Sequence, residues 1–117
     1  MIADDSSAMR AMLVSILESL DDYRIVEAAS GFDALRLLPR EHVDLILTDI
    51  NMPDINGLEL ISYLRNNPNY QHIPVFIIST EGSAKDIEKG TLLGAKEYLV
   101  KPFNPSLLQQ LITTYLG

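Results

Sequence analysis

Cysteine is absent from the 117-residue chain, which removes disulfide frameworks and thiolate chemistry. Histidine is limited to His42 and His72, too few and too far apart for a histidine-rich metal site. No apolar run approaches the roughly 18 residues of a membrane span, and no signal peptide opens the chain. There is no P-loop and no glycine-rich cradle, so nothing announces a nucleotide site. Basic residues are scarce: 9 against 16 acidic ones give a net charge of −7. That balance argues against nonspecific binding to nucleic acid or anionic membrane, and fits a cation site or a basic partner patch. Repeats, low-complexity tracts and linkers are missing too. The length therefore suits one domain, residues 1–117.

What is present alternates. Short aliphatic runs, "RIVEA" (24–28), "DLILT" (44–48), "PVFIIS" (74–79) and "EYLVK" (97–101), follow an abbreviated first run, "MIA". Continuous apolar runs of this length suit strands buried on both faces. Between them lie helical patterns with start signals. Met9, Met12, Leu13, Ile16 and Leu20 form a stripe after Ser6 and Ser7. Ser30 with Asp33, Asn56 with Glu59, and Ser83 with Asp86 have the spacing of a cap and a third-position acid. Pro39 and Pro68 mark two helix ends. Asn104 and Pro105 open the last helix, with Phe103 placed to staple onto Leu108, and Leu107, Leu108, Leu111, Ile112 and Tyr115 as its expected buried face. Five βα units predict a parallel sheet with helices on both faces, joined by right-handed crossovers. Ligands of such sheets bind beyond the carboxyl ends of the strands.

Polar residues gather at that edge. "MIA" runs into Asp4 and Asp5, "LILT" into Asp49, "VFII" into Ser79 and Thr80, and "YLV" into Lys101, whereas the second run ends in Ala28 and Ala29. Several carboxylates at one edge repel: two charges about 4 Å apart cost about 4 kcal/mol at an effective dielectric near 20. A hard divalent cation such as Mg²⁺, bound by carboxylate oxygens with waters retained, removes that cost. Lys101 is a second compensating charge. Metal plus lysine around a carboxylate is the usual clamp for a phosphoryl group. With cysteine absent and neither histidine following a strand, the carboxylate of Asp49 remains as the acceptor.

"ADDSSAMR", "LILTDINMPDINGLEL", "VFIISTEGS" and "EYLVKPFNP" resemble, in order and spacing, the receiver domain of two-component response regulators, over essentially the whole chain. The resemblance implies a flavodoxin-like (βα)5 fold with strand order 2-1-3-4-5. It implies Asp49 as phosphoacceptor, Asp5 as direct Mg²⁺ ligand, Asp4 acting through metal-bound water, and the Asn51 backbone carbonyl completing the metal site. Lys101 corresponds to the lysine that contacts the phosphoryl oxygens, followed by a typically cis Lys101–Pro102 bond. Ser79 corresponds to the switch hydroxyl, and Tyr98 to the switch aromatic. Asn51 and Glu81 flank the site as tuning positions. The implied partners are a histidine kinase and an output protein or output domain that reads the face of the fourth helix, fifth strand and fifth helix. Direct nucleic-acid binding and membrane insertion are not expected. The implied compartment is the cytoplasm, and the implied activity is limited to the domain's own phosphotransfer and slow self-dephosphorylation.

Two departures stand out. "MIA" is too short for an interior strand, which suggests a truncated or excised beginning. Thr80 stands where the family has a small residue, so Ser79 and Thr80 are both candidates for the switch hydroxyl. The fourth helix, Ala84 to Leu93, has the thinnest apolar stripe, mainly Ile87 and Leu93, and an internal Gly90, the pattern of a mobile element. The stretch "STEGSAKDIEKG" leans the expectation toward a stand-alone regulator of the chemotaxis type. The alternatives are a receiver excised from a larger regulator and an unphosphorylated pseudo-receiver scaffold. A flavodoxin-like cofactor binder would want hydroxyl and glycine donors where Asp4 and Asp5 stand. A carboxylate-nucleophile phosphatase would want a proton donor where Asn51 stands.

Overall fold

The computed structural model describes residues 1–20 and 23–117. Five strands, β1 (Ile2–Ala3), β2 (Glu27–Ala28), β3 (Ile46–Thr48), β4 (Val75–Ser79) and β5 (Glu97–Val100), alternate with α1 (Ser7–Glu18), α2 (Gly31–Leu37), α3 (Gly57–Arg65), α4 (Ala84–Leu93) and α5 (Pro105–Leu116). A short 3₁₀ turn, Leu38–Arg40, carries Pro39 at the end of α2. The strands are parallel and ordered β2-β1-β3-β4-β5.

Alternation along the strands feeds two cores. Ile46, Val75 and Ile77 face one side of the sheet with Ala34 of α2 and Leu60, Ile61 and Leu64 of α3. Leu45, Leu47, Phe76 and Ile78 face the other with Leu13 and Leu17 of α1 and Leu108 and Ile112 of α5. This is the two-sided covering that continuous apolar strands require.

Three expectations need correction. β1, although only two residues long, is an interior strand. Ile2 and Asp4 amides donate to Val26 and Ala28 carbonyls, while Leu47 and Asp49 amides donate to Met1 and Ala3 carbonyls, so the ladder extends past the strand on both sides. The stripe on α1 is centred on Leu13 and Leu17, and Met12 is exposed. On α5 only Leu108 and Ile112 are fully buried; Leu111 is half-buried, Leu107 is exposed, and Tyr115 is partly exposed with its ring edge-on to Phe76 at 4.9 Å.

The predicted caps form. Ser6, Ser30, Asn56, Ser83 and Asn104 all accept backbone amide bonds at helix starts, and Asn56 with Glu59 makes a complete reciprocal box. Phe103 packs into the cluster that holds Leu108.

Candidate functional site: an acidic cluster at the sheet edge

Four adjacent strands, β1, β3, β4 and β5, deliver polar groups to one edge, and the edge strand β2 delivers none. Asp4 and Asp5 follow β1 and Asp49 follows β3, so the carboxylates straddle the point where the strand order reverses. One oxygen from each of Asp4, Asp5 and Asp49 lies within 4.8 Å of the others. Asp4 is buried, Asp49 half-buried and Asp5 exposed.

The buried acids are positioned by backbone donors. Asp4 Oδ1 accepts the Ser6 amide at 2.9 Å, and Asp49 Oδ1 accepts the Ile50 amide at 2.7 Å. Lys101 Nζ lies between them, 3.4 Å from Asp4 Oδ2 and 3.5 Å from Asp49 Oδ2. Its backbone amide donates to the Ser79 carbonyl at 2.8 Å, and its bond to Pro102 is cis. Burial pushes the Asp49 carboxyl above the usual range; the Lys101 ammonium opposes this and the Asp4 charge adds to it. That conflict is the one expected of carboxylates crowded for a cation. Oxygens on a shared Mg²⁺ at about 2.1 Å lie about 3 to 4 Å apart, so this donor set fits the ion with a small closure or a retained water.

Around the cluster, Ser79 is fully buried and Thr80 exposed. The Ser79 hydroxyl oxygen accepts the Glu81 amide at 3.1 Å. Tyr98 donates its hydroxyl to the Glu81 carbonyl, and burial raises its pKa. Asn51 Nδ2 donates to Glu81 Oε1 at 3.0 Å across the mouth of the site. The predicted residues are therefore brought together, with Glu81 joining Asn51, Ser79 and Tyr98.

Three supporting residues have no local signature. Arg10, on the first turns of α1, donates to the Asp4 carbonyl at 2.6 Å. Gly57 presses on the Asp49 backbone so closely that a Cβ there would stand 2.1 Å from its carbonyl oxygen. Asp54 reaches to α2, 23 residues earlier in the chain. The stretch "DINMPDING" fixes the place of Gly57 in the chain but does not show its contact.

The five-stranded doubly wound sheet has the flavodoxin-like strand order, with an acid cluster and a lysine ammonium at its switch point. The chain belongs to the response regulator receiver domain family, whose pattern matches residues 1–113. A CheY chemotaxis homologue of Campylobacter jejuni is 36% identical over 118 residues, spanning 100% of this chain and 91% of that protein. The Vibrio cholerae chemotaxis protein CheY4 superposes with a TM-score of 0.88 at 33% identity, covering 98% of this chain and 95% of that one. A Vibrio cholerae protein named "Probable cyclic di-GMP phosphodiesterase" is 37% identical over 116 residues, which are 99% of this chain but 26% of that protein. Membership assigns the chain to two-component signalling, as a signalling domain and not a conventional enzyme. Among the described residues no helix is long and apolar enough to cross a membrane.

Proposed function

We propose that residues 1–117 act as one phosphorylation-dependent switch with Asp49 as acceptor. The observation that carries this reading is the Asp49 carboxylate held between two further carboxylates and the Lys101 ammonium. A histidine kinase supplies the phosphoryl group. The N–P bond of its phosphohistidine breaks, the electron pair returns to the imidazole nitrogen, and an Asp49 carboxylate oxygen forms the new O–P bond. Mg²⁺ held by Asp5, Asp49 and the Asn51 backbone carbonyl, with Asp4 behind a bound water, would neutralise charge at the transferred group. Lys101 exchanges its long contacts with Asp4 and Asp49 for the new phosphoryl oxygens.

Ser79, buried beside the acceptor, is favoured over exposed Thr80 as the switch hydroxyl. Its oxygen accepts from Glu81 and its O–H faces the Tyr98 hydroxyl, a contact it exchanges for the phosphoryl group. Movement of Ser79 then carries Glu81 and Tyr98 with it, and the α4–β5–α5 face changes for the output partner. Asn51 and Glu81, bonded across the mouth, tune the slow hydrolysis that resets the switch. The coverage of the Campylobacter relative supports a stand-alone chemotaxis-type regulator, a role whose compartment is the cytoplasm. The Vibrio match at 26% of its length supports the alternative, a receiver joined to an output domain.

The test is incubation with acetyl phosphate and Mg²⁺. The expected result is a phosphoryl mass gain lost in Asp49→Asn, together with Mg²⁺-dependent NMR shifts at Tyr98 and along α4. No mass gain and no Mg²⁺-dependent change would overturn the reading.

A further inference from the structure

The loop from Asn51 to Asn56 joins Asp49 to α3, and it carries the backbone carbonyl assigned above to the metal. Its base is closed by the Gly57 amide donating to the Ile50 carbonyl at 2.8 Å. Met52 is buried in the core. Beyond that, among the described residues, no backbone–backbone hydrogen bond holds 51 to 55 to another element. The tip is held by one side chain. Asp54 Oδ1 accepts the Gly31 amide at 3.1 Å and Oδ2 accepts the Phe32 amide at 3.0 Å, so a carboxylate of the loop caps α2. Oδ1 also accepts the Ile55 amide at 2.6 Å, which fixes the side chain relative to its own loop.

The contact is built from both sides. A Cβ on Gly31 would lie 2.4 Å from the Ile55 carbonyl oxygen and 2.7 Å from its Cβ, so only glycine lets α2 approach the loop this closely. On the opposite flank of the loop, Asn51 bonds Glu81. The loop is thus strung between α2 and the β4–α4 connection, with the Asn51 carbonyl in between.

We infer that Asp54 is a positioning residue for the phosphorylation site: by clamping the loop tip to the start of α2 with Gly31, it holds the Asn51 carbonyl in place for Mg²⁺. This rests on the function proposed above. Asp54 touches neither metal nor phosphoryl group; its effect passes through the loop backbone. Groups that orient ligands in this indirect way commonly change metal affinity by about 10–100-fold when removed.

The experiment compares wild type, Asp54→Ala, Asp54→Asn and Gly31→Ala by calorimetric Mg²⁺ titration, by acetyl phosphate labelling across Mg²⁺ concentrations, and by thermal unfolding. The expected result is Mg²⁺ affinity weakened about tenfold in Asp54→Ala and Gly31→Ala, with Asp54→Asn between them and wild type. The labelling rate should recover toward wild type at saturating Mg²⁺, a recovery that general destabilisation would not produce. Wild-type Mg²⁺ affinity in folded Asp54→Ala or Asp54→Asn, or a labelling deficit that saturating Mg²⁺ leaves untouched, overturns the inference. If wild type itself neither binds Mg²⁺ nor takes label, it is the functional reading that fails.

Discussion

α3 and α4 follow neighbouring strands, lie on the same side of the sheet and begin from loops that flank Asp49, yet they are held very differently. α3 buries Gly57, Leu60, Ile61 and Leu64, and begins with a reciprocal Asn56–Glu59 box. α4 buries only Gly90. Of its larger aliphatics, Ile87 and Leu93 are half-buried, and Leu92 is 79% exposed. Gly90 lies on Ile77 and the Tyr98 ring, and Arg65 of α3 reaches the Gly94 carbonyl at 3.3 Å, so the attachment of α4 is concentrated at its C-terminal end. The fold thus anchors the helix on one flank of Asp49 by more buried side chains than the helix on the other. A switch needs such a contrast, since an acceptor must stay in register while the surface that reports on it moves.

The largest test of this asymmetry is paired truncation. Leu64→Ala removes a side chain with no exposure and is expected to cost about 2–5 kcal/mol in denaturant unfolding. Ile87→Ala on α4 is expected to cost about 1 kcal/mol. Equal losses would break the comparison. A smaller effect comes from the glycines at the two helix entries. A Cβ at Gly57 meets Asp49 backbone at 2.1 Å, whereas one at Gly82 meets only the Val100 side chain, 2.8 Å away at its nearest atom. Gly57→Ala is expected to cost about 1–3 kcal/mol and to weaken phosphorylation, because the backbone that carries the acceptor must shift. Gly82→Ala should cost less than about 1 kcal/mol, since Val100 can move aside. Urea unfolding with acetyl phosphate labelling measures both.

The same asymmetry explains what could be read from sequence. The strand order and the meeting of Asp4, Asp5, Asp49, Ser79 and Lys101 were legible because each residue directly follows an apolar run, and parallel strands align those ends at one edge. The thin stripe of α4 was legible because periodicity within one helix is a local pattern. Asp54 and Arg10 were not, since their partners lie on other elements and nothing nearby marks them. The interior position of β1 was misjudged because run length ignores the ladder bonds made by flanking residues. Met12 and Leu107 were placed on apolar faces that turn out too wide, because hydrophobicity alone does not give the width of the contact.

The smallest expected effect concerns acid, and it separates the charged anchor of the α3 loop from the rest of the molecule. Desolvation raises the Asp54 pKa, but the Ile55 and Phe32 amides and the Ser30 hydroxyl stabilise its charged form more, and it falls to about 2. Unfolded, the group returns to about 3.9. A depressed folded pKa means that the unfolded chain takes up the proton first as pH falls. The stabilisation from Asp54 is therefore full above the unfolded value and is lost between roughly pH 4 and pH 2. Other carboxylates titrate in the same window, so wild type alone cannot isolate this effect. The difference in unfolding free energy between wild type and Asp54→Asn does, because the remaining groups cancel. That difference should be constant from pH 7 to about pH 5 and shrink as pH falls toward 2. A difference that stays flat to pH 2 would mean that the Asp54 charge contributes nothing to the clamp. The contrast between α3 and α4 would then rest on buried side chains alone.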